Sequence, residues 1–419
     1  MSFQQGLSGL SAASTNLDVI GNNISNANTP GYKQSQAQFT DIFSNSLGGA
    51  DSSNTQVGSG SRVSTVAHIF SQGNISPTNN PLDIAINGQG FFRMDDGGSI
   101  SYSRNGQFRL DGNGFVTDAN GINLTGFTAD GNGVIDASQP TKLKLSTADI
   151  PPQVTSTYDM GFNLDSRQSV PAVTTFDANN LKSYSNTTSG TIYDSLGNSH
   201  ILSIYFQKSA TSGTWNTYAT VDGKVDAAGA PIGVTLASTA LTFDSSGALT
   251  APTAAFDVTV NLAAINPALG AGSPLTFALD LTTATQFGSG FSVNSLSQDG
   301  FTSGRLSGFT TSAEGVVQGS YSNGQTKSLG QIVLANFINP QGLNPMGDGR
   351  WLETPSSGQP VVGPPKTGTL GALQASATED ANVDLTSELV KMITAQRMYQ
   401  ANAKSIETQD AVLQTLVNL

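Results

Sequence analysis

The sequence predicts a mainly β protein with α-helical termini: terminal coiled-coil helices, a discontinuous β domain and an inserted β-barrel or sandwich-like domain. Three observations predict this. Apolar residues recur every three to four positions at the two ends of the chain. Between the ends, period-two alternation is punctuated by Gly, Asn and Asp turn signals. The chain has 419 residues, too many for one ordinary core, so several domains are expected.

At the N-terminus Phe3, Leu7, Leu10, Leu17 and Ile24 follow a heptad spacing that Ser14 and Gly21 complete, with Ala13 and Ile20 flanking the stripe. This is a narrow coiled-coil seam. Asp18 is the one charge before Lys33. Gly6, Gly9 and Gly21 each cost about 1 kcal/mol of helix stability relative to Ala. Such a helix is marginal alone and forms when packed. It should end near Asn26, because Asn28-Thr29-Pro30-Gly31 reads as a turn.

At the C-terminus Leu385, Leu389, Met392, Gln396, Tyr399, Ala403, Ile406, Asp410, Leu413 and Val417 alternate by four and three. All but Gln396 and Asp410 are apolar, and neither Gly nor Pro interrupts the run. Asp384 or Asn382 is expected to cap it, with Glu388 in the first turn. A helix from Asp384 to Val417 is ~50 Å long at the standard rise. Two terminal helices that pair with each other account for both seams.

The middle alternates as strands do at Leu82/Ile84/Ile86, Val258/Val260/Leu262 and Leu275/Phe277/Leu279/Leu281. Residues 332–337 are apolar on both faces, as a doubly buried strand would be. Asp111-Gly112-Asn113-Gly114, Asp130-Gly131-Asn132-Gly133 and Asn323-Gly324 are turns. Composition shifts divide the chain into terminal helices (1–30 and 383–419), a linker or extension (31–70), a β domain in two segments (71–145 and 302–382) and an inserted β domain (146–301). The stretch from Pro355 to Gly371 reads as a loop.

Only 11% of residues are charged, where ~25% is typical, and the net charge is −12. No basic run exists, so nucleic acid and anionic membrane surfaces are not expected partners. No stretch approaches the ~18 apolar residues of a membrane span, and the N-terminus lacks the charged and apolar regions of a cleaved secretory signal. With no cysteine, disulfides and thiol chemistry are out of reach. His68 and His200 have no ligand cluster beside them, so no metal is expected. Asp130–Asp136 places Val134 where a calcium loop needs oxygen, which favours a β-turn. Gly88-Gln89-Gly90 is followed by Phe91-Phe92 rather than a helix, so it reads as a hairpin turn and not a phosphate cradle. No catalytic motif appears, no cofactor is implied, and an enzyme is not expected.

The run Asn22-Asn23-Ile24-Ser25-Asn26-Ala27-Asn28-Thr29-Pro30-Gly31-Tyr32-Lys33 resembles the signature of the bacterial flagellar rod, hook and hook-associated axial proteins. Its key positions are Asn22, Asn23, Asn26, Pro30, Gly31 and Tyr32. Ala381-Asn382-Val383-Asp384-Leu385 and Ala395–Asn402 resemble the other end of that family. Gln72–Ile75, Asp83–Gly88 and Gly90-Phe91-Phe92 are similar to rod and hook members, and Gly330–Phe337 to hook members. The resemblance covers about 1–145 and 302–419; the middle rests on β patterning alone.

The resemblance implies a hook subunit that polymerises into a curved hollow tube, a universal joint carrying torque from rod to filament and an export channel. Assembly would use Phe3, Leu7, Leu10, Leu17, Ile20 and Ile24 at one end. At the other it would use Leu385, Leu389, Met392, Tyr399, Ala403, Ile406, Leu413 and Val417. Implied partners are further copies of the chain, the distal rod protein, the hook cap, the hook–filament junction protein, the hook-length control protein and the type III export gate. Phe39-Thr40-Asp41-Ile42-Phe43 resembles the export-gate pattern, with Phe39 and Phe43 as its apolar pair. Export by that route without a cleaved signal would place the protein in the extracellular hook. The rival readings are a distal rod protein, which is shorter in this family, and a secreted β-rich adhesin, whose membrane strands this helical end does not supply.

Overall fold

The computed structural model describes residues 2–42 and 60–417. The protein is mostly strand, with helices at both termini. Helix α1 (Ser2–Ser25) stops one residue before Asn26. The chain then turns through residues 26–31, where Gly31 adopts φ +72°. Helix α2 (Leu385–Val417) runs unbroken. Asp384 caps it, its Oδ1 accepting from the backbone N–H of Thr386 at 2.9 Å and Ser387 at 3.3 Å. Asn382 has another task, described below.

The chain divides into two compact units. One holds both helices, the chain up to Thr147, Ser307–Ser320 and the chain from Thr326. The other holds Ala148–Leu306 and the hairpin tip Tyr321–Gln325. Within the first unit, strands β1 (Ser35–Asp41) and β2 (Ser61–His68) form an antiparallel ladder from Ser35 opposite His68 to Asp41 opposite Ser61. Part of the stretch read as a linker or extension is therefore an ordered arm.

The first unit's main sheet, among the described residues, runs in the order 306–311, 316–321, 326–332, 123–128, 91–96, 99–103, 350–352 and 344–347. Period-two alternation sends its side chains into two cores. Phe92 and Met94 join Ile84, Ile86, Leu124, Leu143, Leu329 and Ile332 on one side. Phe91 joins Tyr102, Ala335, Phe337 and Trp351 on the other. Ile332 to Ala335 are all buried, as the doubly apolar run requires. The strand changes partners inside that run: Ile332 pairs with Gly126, and Leu334 with Phe92.

Two local expectations are corrected. Gly88 and Gly90 do make a turn, with φ +113° and +124°. It is no hairpin, however, because Ile84–Asn87 pairs with Ala372–Ala375 while Phe91–Asp96 pairs with Ser99–Ser103. The stretch 355–371 is not all loop, since Val361–Gly363 pairs with Leu334–Asn336. Ile84–Asn87 and Val361–Gly363 each take a partner strand more than 20 residues away, which local patterning does not reveal.

The second unit is two sheets around one core. Thr157–Asp165 lies parallel to Leu275–Asp280 and to Thr285–Phe287, and antiparallel to Ser292–Gln298. The other sheet is an antiparallel series, Asn186–Tyr193, Ser199–Lys208, Thr214–Val221, Ala240–Phe243 and Leu249–Ala251. Tyr158, Met160, Phe162 and Leu164 meet Leu202, Ile204, Phe206 and Trp215 in the core.

One turn recurs at Asp111, Asp118, Asp130, Asp194, Asp226 and Asp244. The aspartate Oδ1 accepts from the N–H groups two and four residues on. A glycine three residues on takes φ between +77° and +85°. The Asp130 carboxylate is thus engaged as a turn former, like the other five.

Candidate self-assembly site

Helices α1 and α2 pair antiparallel within the chain, Gly9 lying against Asn402 and Asn23 against Glu388. A Cβ on Gly6 would sit 2.9 Å from Ile406 Cγ1, and one on Gly9 2.9 Å from the Asn402 side chain. The glycines that weaken α1 as an isolated helix are therefore the residues that let α2 approach. On α2 the inward face carries Glu388, Ala395 and Asn402, spaced by seven.

This face differs from the apolar stripe. Among the predicted seam residues Ile20 is buried, and Leu10, Leu17, Ile24, Met392, Ala403 and Ile406 are half-buried. Phe3, Leu7, Leu385, Leu389, Tyr399 and Leu413 are exposed, Leu7 by 52% and Leu413 by 53%. The side chain of Val417 lies outside the described residues. Small residues and hydrogen bonds turn inward, and much of the apolar stripe turns outward.

The motif after α1 builds the joint between the helices and the β arm. The Asn23 amide donates to Ser35 O at 2.8 Å and to Glu388 Oε2 at 3.1 Å, while its Oδ1 accepts from Ser35 N–H at 2.9 Å. The Tyr32 hydroxyl donates to Asn23 Oδ1 at 3.1 Å and Asn22 Oδ1 at 3.3 Å. Burial raises the Tyr32 pKa, and the Glu388 charge adds to this, against a hydrogen bond with Ser35. Asn26 donates to Asn22 Oδ1 at 2.6 Å, tightening the last turn. Pro30 lies in the turn after α1, and Gly31 comes so close to Arg104 and Asn105 that a Cβ would lie 2.5 Å from Asn105 N. Gln34 Nε2 and Lys391 Nζ, each at 2.7 Å, complete the partners of Glu388.

Below the joint lies a buried ionic hub. Lys33 Nζ donates to Glu379 Oε1 at 2.5 Å and to Ser71 O at 2.8 Å. Arg104 Nε stands 3.3 Å from Glu379 Oε2, and its terminal nitrogens donate to Gly90 O and Gly88 O at 2.9 Å each. Lys33, Glu379 and Arg104 are all buried. Desolvation lowers the pKa of Lys33 and of Arg104, and the Glu379 charge opposes it in both. Asn382 fastens the start of α2 to the arm: its Oδ1 accepts from Gln34 N–H at 2.7 Å, and its amide donates to Ile69 O at 2.7 Å.

Sequence reading named the motif but missed Glu379, Arg104, Glu388 and Asn382 as its partners. The usable signal was the scarcity of charge, which makes each ionic residue in a β region stand out. Phe39 is exposed on β1 and lines a cleft of about 410 Å³ with Gly9, Ala12, Ala13 and Met398. Phe43, its partner in the export pattern, lies outside the described residues. His68 Nδ1 lies 3.2 Å from Ser35 Oγ. His200 sits between Asp222 at 2.8 Å and Asp194 at 3.4 Å.

Residues 3–33 match the model of the flagella basal body rod protein, and 374–419 that of the flagellar basal body rod FlgEFG protein C-terminal region. Residues 85–165 match the flagellar hook protein FlgE/F/G D1 domain, and 163–301 the flagellar basal body protein FlaE D2 domain. The chain is 40% identical to flagellar hook protein FlgE of Escherichia coli and 41% identical to that of Salmonella typhimurium, with 100% of both chains covered in each case. It is 33% identical to that of Borreliella burgdorferi over 100% of this chain and 99% of the relative. The crystal structure of Helicobacter pylori flagellar hook protein FlgE2 is a more distant likeness, with TM-score 0.49 and 14% identity over 73% of this chain and 99% of that one. The chain belongs to the flagellar hook protein FlgE family.

Proposed function

We propose that the chain is the repeating subunit of a curved hollow tube, the flagellar hook, which transmits torque while bending and serves as an export channel. It acts as a structural part and not as an enzyme. In this reading the paired helices (1–30 and 383–419) line the channel. The two-segment β domain (71–145 and 302–382) surrounds them, 31–70 acts as a connecting arm, and the inserted domain (146–301) lies outermost.

One observation carries the reading. Phe3, Leu7, Leu389 and Leu413 stand exposed on helices that are already paired. An apolar stripe left in water by one copy is surface for others to bury. Among the described residues no helix is long and apolar enough to cross a membrane, so the stripe is not a span. The outer domain carries Ser, Thr and Asn with few charges, and polar, wet contacts exchange at small cost as a tube bends.

The subunit would leave through the flagellar type III apparatus, with Phe39 and Phe43 engaging its gate. It would meet the distal rod protein at one end of the tube and the hook–filament junction protein at the other. The hook cap and the hook-length control protein would act during growth. Electron microscopy of purified protein under salting-out conditions tests the reading. Short curved tubes are expected. Persistent monomers that also fail to restore hooks in a hookless strain would overturn it.

A further inference from the structure

The terminal helices carry one matched pair of unused charges. Asp18 is the sole charge on α1; it is exposed and has no partner among the described residues. On α2, Lys391 pairs with Glu388 and Lys404 with Glu407, and Asp410 accepts from Gln414. Arg397 alone of that helix's charged groups is exposed with no partner among the described residues.

Both charges point away from the intrachain contact. Asp18 is nine positions after Gly9, and Arg397 nine after Glu388, both contact residues. At about 100° per residue, nine positions put a side chain on roughly the opposite face. A copy cannot bring its own Asp18 to its own Arg397 without opening its helix pair.

We propose that Asp18 of one copy pairs with Arg397 of a second copy, and that this pair sets the register between neighbouring terminal helices. The inference rests on the hook reading and deepens it. Keep the antiparallel sense of the intrachain pair and set Asp18 opposite Arg397. Phe3 then falls opposite Val412, and Asn22 opposite Ile393. Phe3, Val412 and Ile393 are all exposed in the single copy. This register is displaced from the intrachain one by four residues, about 6 Å along the axis. The charge pair therefore brings one exposed apolar pair, Phe3 and Val412, into line, which α1 and α2 of the same chain leave apart, while Ile393 meets the polar Asn22. Registers that set Asp18 against Glu388, Glu407 or Asp410 would bring like charges together, whereas this one gives it the unpaired cation of α2.

Four full-length proteins test this: wild type, Asp18→Arg, Arg397→Asp and the double reversal. The readout is the critical concentration for tube formation, by sedimentation and electron microscopy, with monomer thermal transitions measured alongside. Each single reversal should raise the critical concentration about tenfold or more, and the double reversal should return it to within about threefold of wild type. If a reversal disturbs the monomer's own transition, Asp18→Asn and Arg397→Gln replace it; each should raise the critical concentration several-fold without adding repulsion.

Single reversals that polymerise like wild type would overturn the proposal. So would a double reversal no better than the worse single. Reversals that stop hook growth in cells while the purified protein polymerises normally would assign the charges to another axial protein and overturn it too. Failure of wild type to polymerise or to restore hooks would instead overturn the hook reading itself.

Discussion

Lys33 Nζ lies 2.5 Å from Glu379 Oε1, although the two residues are 346 positions apart in the chain. Both are 1% exposed, and Arg104 adds a second cation to the same carboxylate. Gly73 N–H donates to Glu379 Oε1 at 2.8 Å, and Gly31 N–H to Glu379 O at 2.7 Å. One glutamate thus ties the end of the α1 turn, the arm and the approach to α2 together.

Removing that carboxylate leaves two buried cations without their anion. Glu379→Gln should destabilise the first unit by about 3–5 kcal/mol. Urea denaturation followed by a probe in that unit measures it. An unchanged midpoint would show that the cations find other partners.

Gly31 tests the backbone beside the hub. Its φ of +72° disfavours any side chain, and a Cβ would meet Asn105 N at 2.5 Å. Gly31→Ala should cost about 2 kcal/mol or more, read as a lowered urea midpoint. Gly97, also at positive φ but with open space around its Cβ position, provides the control. Gly97→Ala isolates the backbone strain without the clash and should cost less.

Asn23 sets the helix pair at its base. Asn23→Ala removes a donor from the buried carboxylate of Glu388 and both bonds to Ser35. A loss of about 1–3 kcal/mol is expected. If the helix pair is what polymerises, the critical concentration for tube formation should rise by about tenfold. Assembly indistinguishable from wild type would separate this joint from polymerisation.

The aspartate turns predict an acid dependence. Backbone bonds led by Val134 N–H hold the Asp130 carboxyl below its ordinary range, and Ser246 does the same for Asp244. A carboxyl with a lowered folded pKa contributes stability that is complete above its unfolded pKa, near 3.9, and is lost as pH falls through the folded value. Stability should therefore drop below about pH 4. Asp130→Asn and Asp244→Asn should flatten that slope in urea titrations across pH 2–6; slopes equal to wild type would remove these turns as the cause.

Much of the architecture was legible without coordinates, for local reasons. A heptad period needs only its own residues, so both helices could be read. Pro30 and Gly31 marked the turn that follows one helix, and Asp384 began the other by capping residues two and three positions on. The aspartate–glycine turns are equally local. Alternation likewise identified Ile84, Ile86, Val258, Leu275 and Phe277 as core.

What only the tertiary structure decided depends on distant partners. The parallel pairing of Thr157–Asp165 with Leu275–Asp280 joins segments more than 100 residues apart. Apart from Lys391, the side-chain partners of Glu379 and Glu388 come from the first quarter of the chain. The inward face of each helix was decided the same way. Periodicity marks an apolar stripe but does not say what covers it. Gly6 and Gly9 let the backbones close on Ile406 and Asn402, Asn23 reaches Glu388, and that contact turns Phe3, Leu7, Leu389 and Leu413 outward. The sequence determined that the chain would have two terminal helices with apolar stripes. Close packing at glycine and a buried hydrogen-bonded carboxylate decided which faces the chain keeps and which it leaves exposed.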